Sequence, residues 1–312
     1  MNTNISNTVL VISGPTASGK SYLAELLIQK YPSSVILNAD SMQVYKDLPI
    51  LSNQPDIHTE SEIYKLYGFL DFDKNCSAGF WQETANDVIE QSFKEKKLPI
   101  IVGGTGLYIR VLLEGIADIP DIKSDIRQHV QERFLMLGKE KFYAQLSSID
   151  PISARRIHSN DSYRMQRAME VYIQTGKSIA DFKNSKSLYD ALHISILPNR
   201  DKLYQNCNVR LQAMLDAGAI YEVESLFKKI RKKPNKYNIE NTLGYRNIVS
   251  YLKNEINLDE AITQAAQATR NYAKRQYTWF KNQLPNKTIL SYDSDIKEIQ
   301  ENFLKMVKPH FI

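Results

Sequence analysis

The run Gly14-Pro15-Thr16-Ala17-Ser18-Gly19-Lys20-Ser21 follows directly on the short apolar segment Thr8–Ile12 and reads G-x-x-x-x-G-K-S. Its spacing is that of a phosphate cradle. Two glycines let the backbone wrap an anion, the loop N–H groups and the next helix N-terminus point at it, Lys20 adds charge, and the Ser21 hydroxyl can hold Mg²⁺. Leu23, Ala24, Leu26 and Leu27 continue at helical spacing, so the run sits between a strand and a helix, unlike an ordinary Gly/Ser turn. The motif implies polyphosphate binding and is silent on the reaction.

Further apolar runs at Ser34–Ala39, Leu98–Val102, His193–Leu197 and Lys287–Ser291 predict buried strands alternating with helical patterns. This is the pattern of an α/β fold, a P-loop NTPase-like parallel sheet with helices on both faces. Ligands of such sheets lie at the carboxyl ends of the strands, which singles out Asp40 and Gly103-Gly104-Thr105-Gly106. A carboxylate at Asp40 can bind Mg²⁺, accept a proton from a nucleophile, or cap the next helix. The glycines allow a tight turn and close approach of a ligand, but do not spell G-x-G-x-x-G, and a turn without ligand fits them equally.

From Pro120 to about Asp190 strand signals vanish, and Ser124–Leu137, Lys139–Ser147, Pro151–Ile157 and Tyr163–Thr175 read as helices. The expected organisation is a P-loop core, 1–118 and 192–312, with an inserted all-helical domain at 119–191. Charge divides similarly. Residues 1–118 carry 9 Lys/Arg against 14 Asp/Glu, and residues 119–312 carry 31 against 21. An acidic phosphate-binding half joined to a basic half suggests a polyanionic partner, although solvated basic helices would look the same. Arg155, Arg156, His158, Arg164 and Arg167 cluster in the helical stretch. Lys228, Lys229, Arg231, Lys232, Lys233 and Lys236 read as a solvated helix end. Thr269, Arg270, Tyr272, Lys274, Arg275, Gln276, Tyr277 and Trp279 interleave cations with aromatics, able to meet phosphates and stack on bases, or to enter the core. Two cysteines, Cys76 and Cys207, make neither a disulfide framework nor a Cys-rich zinc site. With no signal core at Met1 to Thr8 and no long apolar span, a cytoplasmic chain without a membrane segment is expected.

Together these residues resemble the tRNA dimethylallyltransferase (isopentenyltransferase) family. The matching blocks are Gly14–Ser21, Asp40–Tyr45, Gly103–Tyr108, Ser162–Val171, Asn241–Arg246 and Thr269–Trp279, in family order along nearly the whole chain. The resemblance implies transfer of a dimethylallyl group from dimethylallyl diphosphate to N6 of adenosine 37 in tRNAs reading codons that start with U. It implies Asp40 as general base. It implies that the cradle residues Gly14, Pro15, Thr16, Ala17, Ser18, Gly19, Lys20 and Ser21, with Arg210, act on the diphosphate, and that Mg²⁺ is bound near Ser21. It assigns tRNA contacts to Asp40, Ser41, Met42 and Gln43, to Thr105 and Arg127, to Tyr163, Arg164, Met165, Gln166 and Arg167, and to Asn241, Thr242, Leu243, Gly244, Tyr245 and Arg246. The helical insertion would clamp the anticodon stem-loop, and a monomer of bacterial type without a zinc-finger extension is expected. Two stretches depart from the family pattern: Ser52-Asn53-Gln54-Pro55 stands where Thr-Ala-Lys-Pro is usual, and Tyr67-Gly68 where a histidine pair is usual. Competing readings are a P-loop small-molecule kinase, with Asp40 as base for a hydroxyl, and a nucleotide switch that binds RNA without covalent chemistry.

Overall fold

The computed structural model describes residues 7–56, 62–284 and 286–310, so the polar start Met1–Ser6 lies outside it. Among these residues the chain forms strands β1 (Thr8–Ser13), β2 (Ser34–Asn38), β3 (Tyr64–Lys65), β4 (Leu98–Gly103), β5 (Asp190–Ile196) and β6 (Thr288–Leu290). The helices are α1 (Lys20–Lys30), α2 (Pro49–Ser52), α3 (Ala78–Lys94), α4 (Gly106–Glu114), α5 (Ser124–Ile149), α6 (Pro151–Arg156), α7 (Ser162–Thr175), α8 (Arg200–Asp216), α9 (Ala219–Lys232), α10 (Tyr245–Leu252), α11 (Leu258–Asn282) and α12 (Gln300–Val307). Two compact units result: Met1–Leu113 with Leu188–Ile312, and Glu114–Ser187.

The first unit is built on a parallel sheet of order β3-β2-β4-β1-β5-β6. Its central strands are buried on both faces, as continuous apolar runs require when helices cover both sides. Alternate residues of β1 serve different cores. Val9 and Val11 pack with Trp81, Ile89, Tyr108 and Phe280, whereas Leu10 and Ile12 pack with Leu23, Leu27, Phe303 and Val307. A third core joins Val44, Tyr45 and Leu51 to α9 and α10 through Leu226, Ile230, Tyr245 and Ile248. The expectation of a buried strand at Lys287–Ser291 needs correction: β6 is a short edge strand whose Thr288 and Ile289 are exposed. An edge strand needs only one covered face, so its apolar residues did not report burial.

The second unit is helical and has its own core of Val130, Phe142, Leu146, Met165 and Met169. Gly138 (φ 72°, ψ 169°) interrupts α5, consistent with helical patterns that stop at Leu137 and resume at Lys139. The break brings Phe134 against Phe142 edge to face, centroids 5.1 Å apart. Asp150 then caps α6 by accepting the Ser153 N–H, and Asp161 caps α7 by accepting the Arg164 N–H.

Register sets the site. Ser13 pairs with Gly103 on one side and Ser195 on the other, so β1, β4 and β5 all end at one edge. There a Cβ on Gly103 would lie 2.1 Å from the Ala39 carbonyl oxygen, backbone that cannot swing aside. Gly103→Ala should therefore destabilise by about 1–3 kcal/mol, read as a lower urea midpoint at unchanged m-value.

Candidate active site

The loop between β1 and α1 turns through positive φ at Gly14 (149°), Ala17 (62°) and Gly19 (84°). Gly14 is obligatory because a Cβ there would stand 2.4 Å from the Ile196 carbonyl oxygen. The outward carbonyls are individually held. Lys20 Nζ donates to Pro15 O (2.7 Å), Asn206 Nδ2 to Ala17 O (3.2 Å) and the Tyr292 hydroxyl to Ser18 O (3.3 Å). The Thr16 N–H donates to Gln276 Oε1 at 2.8 Å, and the Thr16 hydroxyl accepts from the Arg210 guanidinium. Thus α8, α11 and the segment after β6 all fasten the cradle.

Asp40 follows β2 at the same edge. Asn38 Oδ1 accepts the Asp40 N–H (2.8 Å), while Asn38 Nδ2 donates to the carbonyls of Asp40 and Leu66 (3.0 Å each). The Met42 N–H donates to Asp40 Oδ1 at 3.0 Å. The carboxylate thus closes a local turn with one oxygen. Its Oδ2 lies on the side of Gly104, where an added Cβ would be 3.5 Å from it. Next to it the Thr105 hydroxyl accepts the Ser41 N–H at 2.9 Å.

Two cavities flank this arrangement. One, of about 460 Å³, runs along Ser18–Ser21 and is bordered by Lys202, Asn206, Arg210 and Asp295. The other, of about 370 Å³, is lined by Thr16, Asp40, Met42, Arg210, Tyr272 and Arg275, with apolar walls from Leu51, Leu211, Met214 and Leu243. Arg210 borders both. One wall therefore offers cations to an anion, while the other side combines a carboxylate with apolar surface.

Of the sequence-predicted residues, Gly14–Ser21, Asp40–Met42 and Arg210 gather here, with Asn241, Thr242 and Leu243 on the second cavity. Gln43 instead spends its amide N–H groups on the carbonyls of Ser52 (3.0 Å) and Asn53 (2.7 Å). Thr242, Gly244 and Tyr245 are buried, whereas Asn241 and Arg246 are exposed and joined at 3.1 Å. In the helical unit Arg127, Tyr163 and Arg164 are exposed, Gln166 and Arg167 are half-buried, and Met165 is sealed in the core. Arg164 and Arg167 pair with Asp161 and Glu170 on their own helix. Asn38, Asn206 and Tyr292 escaped the sequence reading, which includes Gln276 only as part of the Thr269–Trp279 run and not for its contacts to Thr16 and Gly104. Gln276 left one trace: it falls on the stripe of Ala265, Thr269, Ala273 and Phe280, a polar residue where the helix is buried.

The fold and this edge define a P-loop α/β protein with an anion cradle facing a carboxylate-lined apolar cavity. A sequence profile of the family described as "IPP transferase" matches residues 43–283. The tRNA dimethylallyltransferase of Ehrlichia canis (strain Jake) is 40% identical over 301 residues, covering 95% of this chain and 99% of the relative. That of Wolbachia pipientis wMel is 40% identical over 297 residues, covering 94% and 99%. Among solved structures, a tRNA isopentenylpyrophosphate transferase from Bacillus halodurans matches with TM-score 0.70 at 28% identity, covering 98% of this chain and 97% of its own. A eukaryotic dimethylallyltransferase acting on tRNA matches with TM-score 0.84 at 27% identity, covering 97% and 78%. The chain belongs to the IPP transferase family.

Burial holds the Lys20 ammonium down at about 8, helped by the neighbouring Arg210 and opposed by Asp40. Burial likewise lowers Arg210, with Asp40 opposing. An anion binds the protonated lysine and raises its pKa, so affinity is complete below about pH 8 and falls above it. Inorganic pyrophosphate titrated by calorimetry should weaken by up to about tenfold per pH unit above that point. Lys20→Met should bind more weakly throughout and lose this part of the pH dependence.

Proposed function

We propose that the protein transfers the dimethylallyl group of dimethylallyl diphosphate to N6 of adenosine 37 in tRNAs reading codons that begin with U. The observation that carries the reading is the placement of Asp40 and the Thr16–Arg210 pair on one cavity, with the phosphate cradle directly beyond. In the transfer the allylic C–O bond breaks and the N6–C bond forms. The electron pair leaves with the diphosphate, and the N6 proton passes to the Asp40 carboxylate. Lys20, Arg210 and the loop amides stabilise the charge growing on the leaving group, in surroundings dry enough to lower both cations. Leu51, Leu211 and Met214 supply apolar surface for the prenyl chain.

Mg²⁺ fits the site as a companion of the phosphates. Ser21 brings a hydroxyl to the cradle cavity, and no group of three or more His, Cys, Asp or Glu able to hold a metal occurs among the described residues. Such a donor set suits an ion held mostly by phosphate oxygens and water, and the ion would neutralise leaving-group charge. Adenosine 37 is reached by extrusion from the anticodon loop. Ser41, Met42, Gln43, Thr105 and the Asn241–Arg246 segment would meet it and its neighbours. Arg127, Tyr163, Arg164, Gln166 and Arg167 would hold the stem-loop, with the helical unit, 119–191 by sequence, as the clamp. No helix among the described residues is long and apolar enough to cross a membrane. We take the enzyme to be a cytoplasmic monomer.

Incubation with labelled dimethylallyl diphosphate, Mg²⁺ and unmodified tRNA should place label on adenosine 37. ATP turnover on a small hydroxyl compound without such label would establish the kinase reading instead. Asp40→Asn should slow single-turnover transfer by about 10²–10⁴-fold while tRNA affinity is kept. Arg164→Ala with Arg167→Ala should weaken tRNA binding and flatten the plot of log K against log salt by about one to two units.

A further inference from the structure

We propose that Gln276 is a positioning residue for this transfer, setting the separation between the leaving-group cradle and the Asp40 carboxylate. The inference rests on the function proposed above. Gln276 is 6% exposed on the inner face of α11 and touches no reacting atom in that reading. Both ends of its amide are committed to loop backbone. Oε1 accepts the Thr16 N–H at 2.8 Å, and Nε2 donates to the Gly104 carbonyl at 2.7 Å. A backbone N–H can only donate and a carbonyl only accept, so the partners fix which way the amide points.

The two loops it joins carry the two halves of the chemistry. Thr16 receives the Arg210 guanidinium at the mouth of the cradle. A Cβ on Gly104 would lie 2.6 Å from Gln276 Nε2, so the glutamine would have to move, and in ordinary contact with Gly14 O (3.4 Å) and Asp40 Oδ2 (3.5 Å). Glutamine, cradle and Asp40 are thus packed around one glycine, and a single side chain sets the distance across which the allyl group travels. Packing alone does not call for glutamine. A methionine of similar size would bury more cheaply on a stripe with Ala273 and Phe280, because an amide there is tolerated only when fully hydrogen-bonded.

The full-length protein is assayed with dimethylallyl diphosphate and unmodified tRNA as wild type, Gln276→Met and Gln276→Glu. A wild type without transfer sinks the proposed function and this inference with it. Given wild-type transfer, both variants should lose about 100-fold in kcat, the scale of a misplacement of about 1 Å, at unchanged KM for the diphosphate and unchanged tRNA affinity. Gln276→Glu should recover relative to wild type as pH is lowered, because a protonated carboxyl can accept from Thr16 and donate to Gly104 while a carboxylate only accepts. Gln276→Met should not recover. Wild-type kcat in the variants, a loss confined to KM, or an acid recovery absent from Gln276→Glu overturns the inference. Should Gln276→Met fail to fold, the pH behaviour of Gln276→Glu decides alone.

Discussion

A backbone loop that wraps an anion must aim its N–H groups inward, and its carbonyls then need partners elsewhere. Here those partners are remote in sequence. The carbonyls of Ala17 and Ser18 are met by Asn206 and Tyr292, and the N–H of Thr16 by Gln276, a residue 260 positions away. The Pro15 carbonyl is met locally, by Lys20 Nζ and by the Ser18 N–H at 3.3 Å. Positive φ at Ala17, a non-glycine, is tolerated because the surroundings fix it from several sides. The eight-residue motif is therefore a latent structure, and α8, α11 and the segment after β6 give it its shape.

The same arrangement explains the electrostatics. Two cations, Lys20 and Arg210, are brought out of water beside one carboxylate, Asp40, and burial lowers both against its attraction. The site thus holds an excess of poorly solvated positive charge, which a multiply charged anion relieves more than a neutral ligand does. For a reaction in which charge accumulates on a departing diphosphate, the stabilisation grows as the bond breaks, which is the condition for lowering a barrier and not merely improving binding.

What the sequence disclosed followed the range of the signals. Four strands, β1, β2, β4 and β5, were legible as apolar runs, and the cradle as a contiguous motif. β3 was not, because the two residues Tyr64–Lys65 have no periodicity. The basic run at the end of α9 read as solvated, yet Lys229 reaches Asp47 and Lys233 reaches Asp73 at 3.7 Å, tying the end of α9 to the segments after β2 and after β3. Met165 belonged to a matching block but faces the helical core, since residues three and four apart share a helix face and α7 turns Met165, Ala168 and Met169 inward. Asn206 and Tyr292 carry no local signature, and Gln276 only its place on the buried stripe of α11; their roles exist only once the sheet has aligned the ends of β1, β4 and β5.

The loop that departs from the family pattern shows how this chain manages without an added cation. Leu51 and Ser52 line the Asp40 cavity and Asn53 borders the cradle cavity, so the segment spans both. Neutral amides fix it: Gln43 reaches the carbonyls of Ser52 and Asn53, and Gln54 the Tyr45 carbonyl at 2.7 Å. Nearby, where a histidine pair is usual, Tyr67 is buried edge to face on Tyr64. A lysine at position 54 would lose the Gln54 amide contact and bring a charge to the pocket that Gln54 shares with Ser21, Tyr64 and Tyr67. In its absence the positive wall of the cradle reduces to Lys20, Arg210 and Lys202, and geometry carries more of the work: the tighter the loops are held around Gly104, the less a missing charge matters.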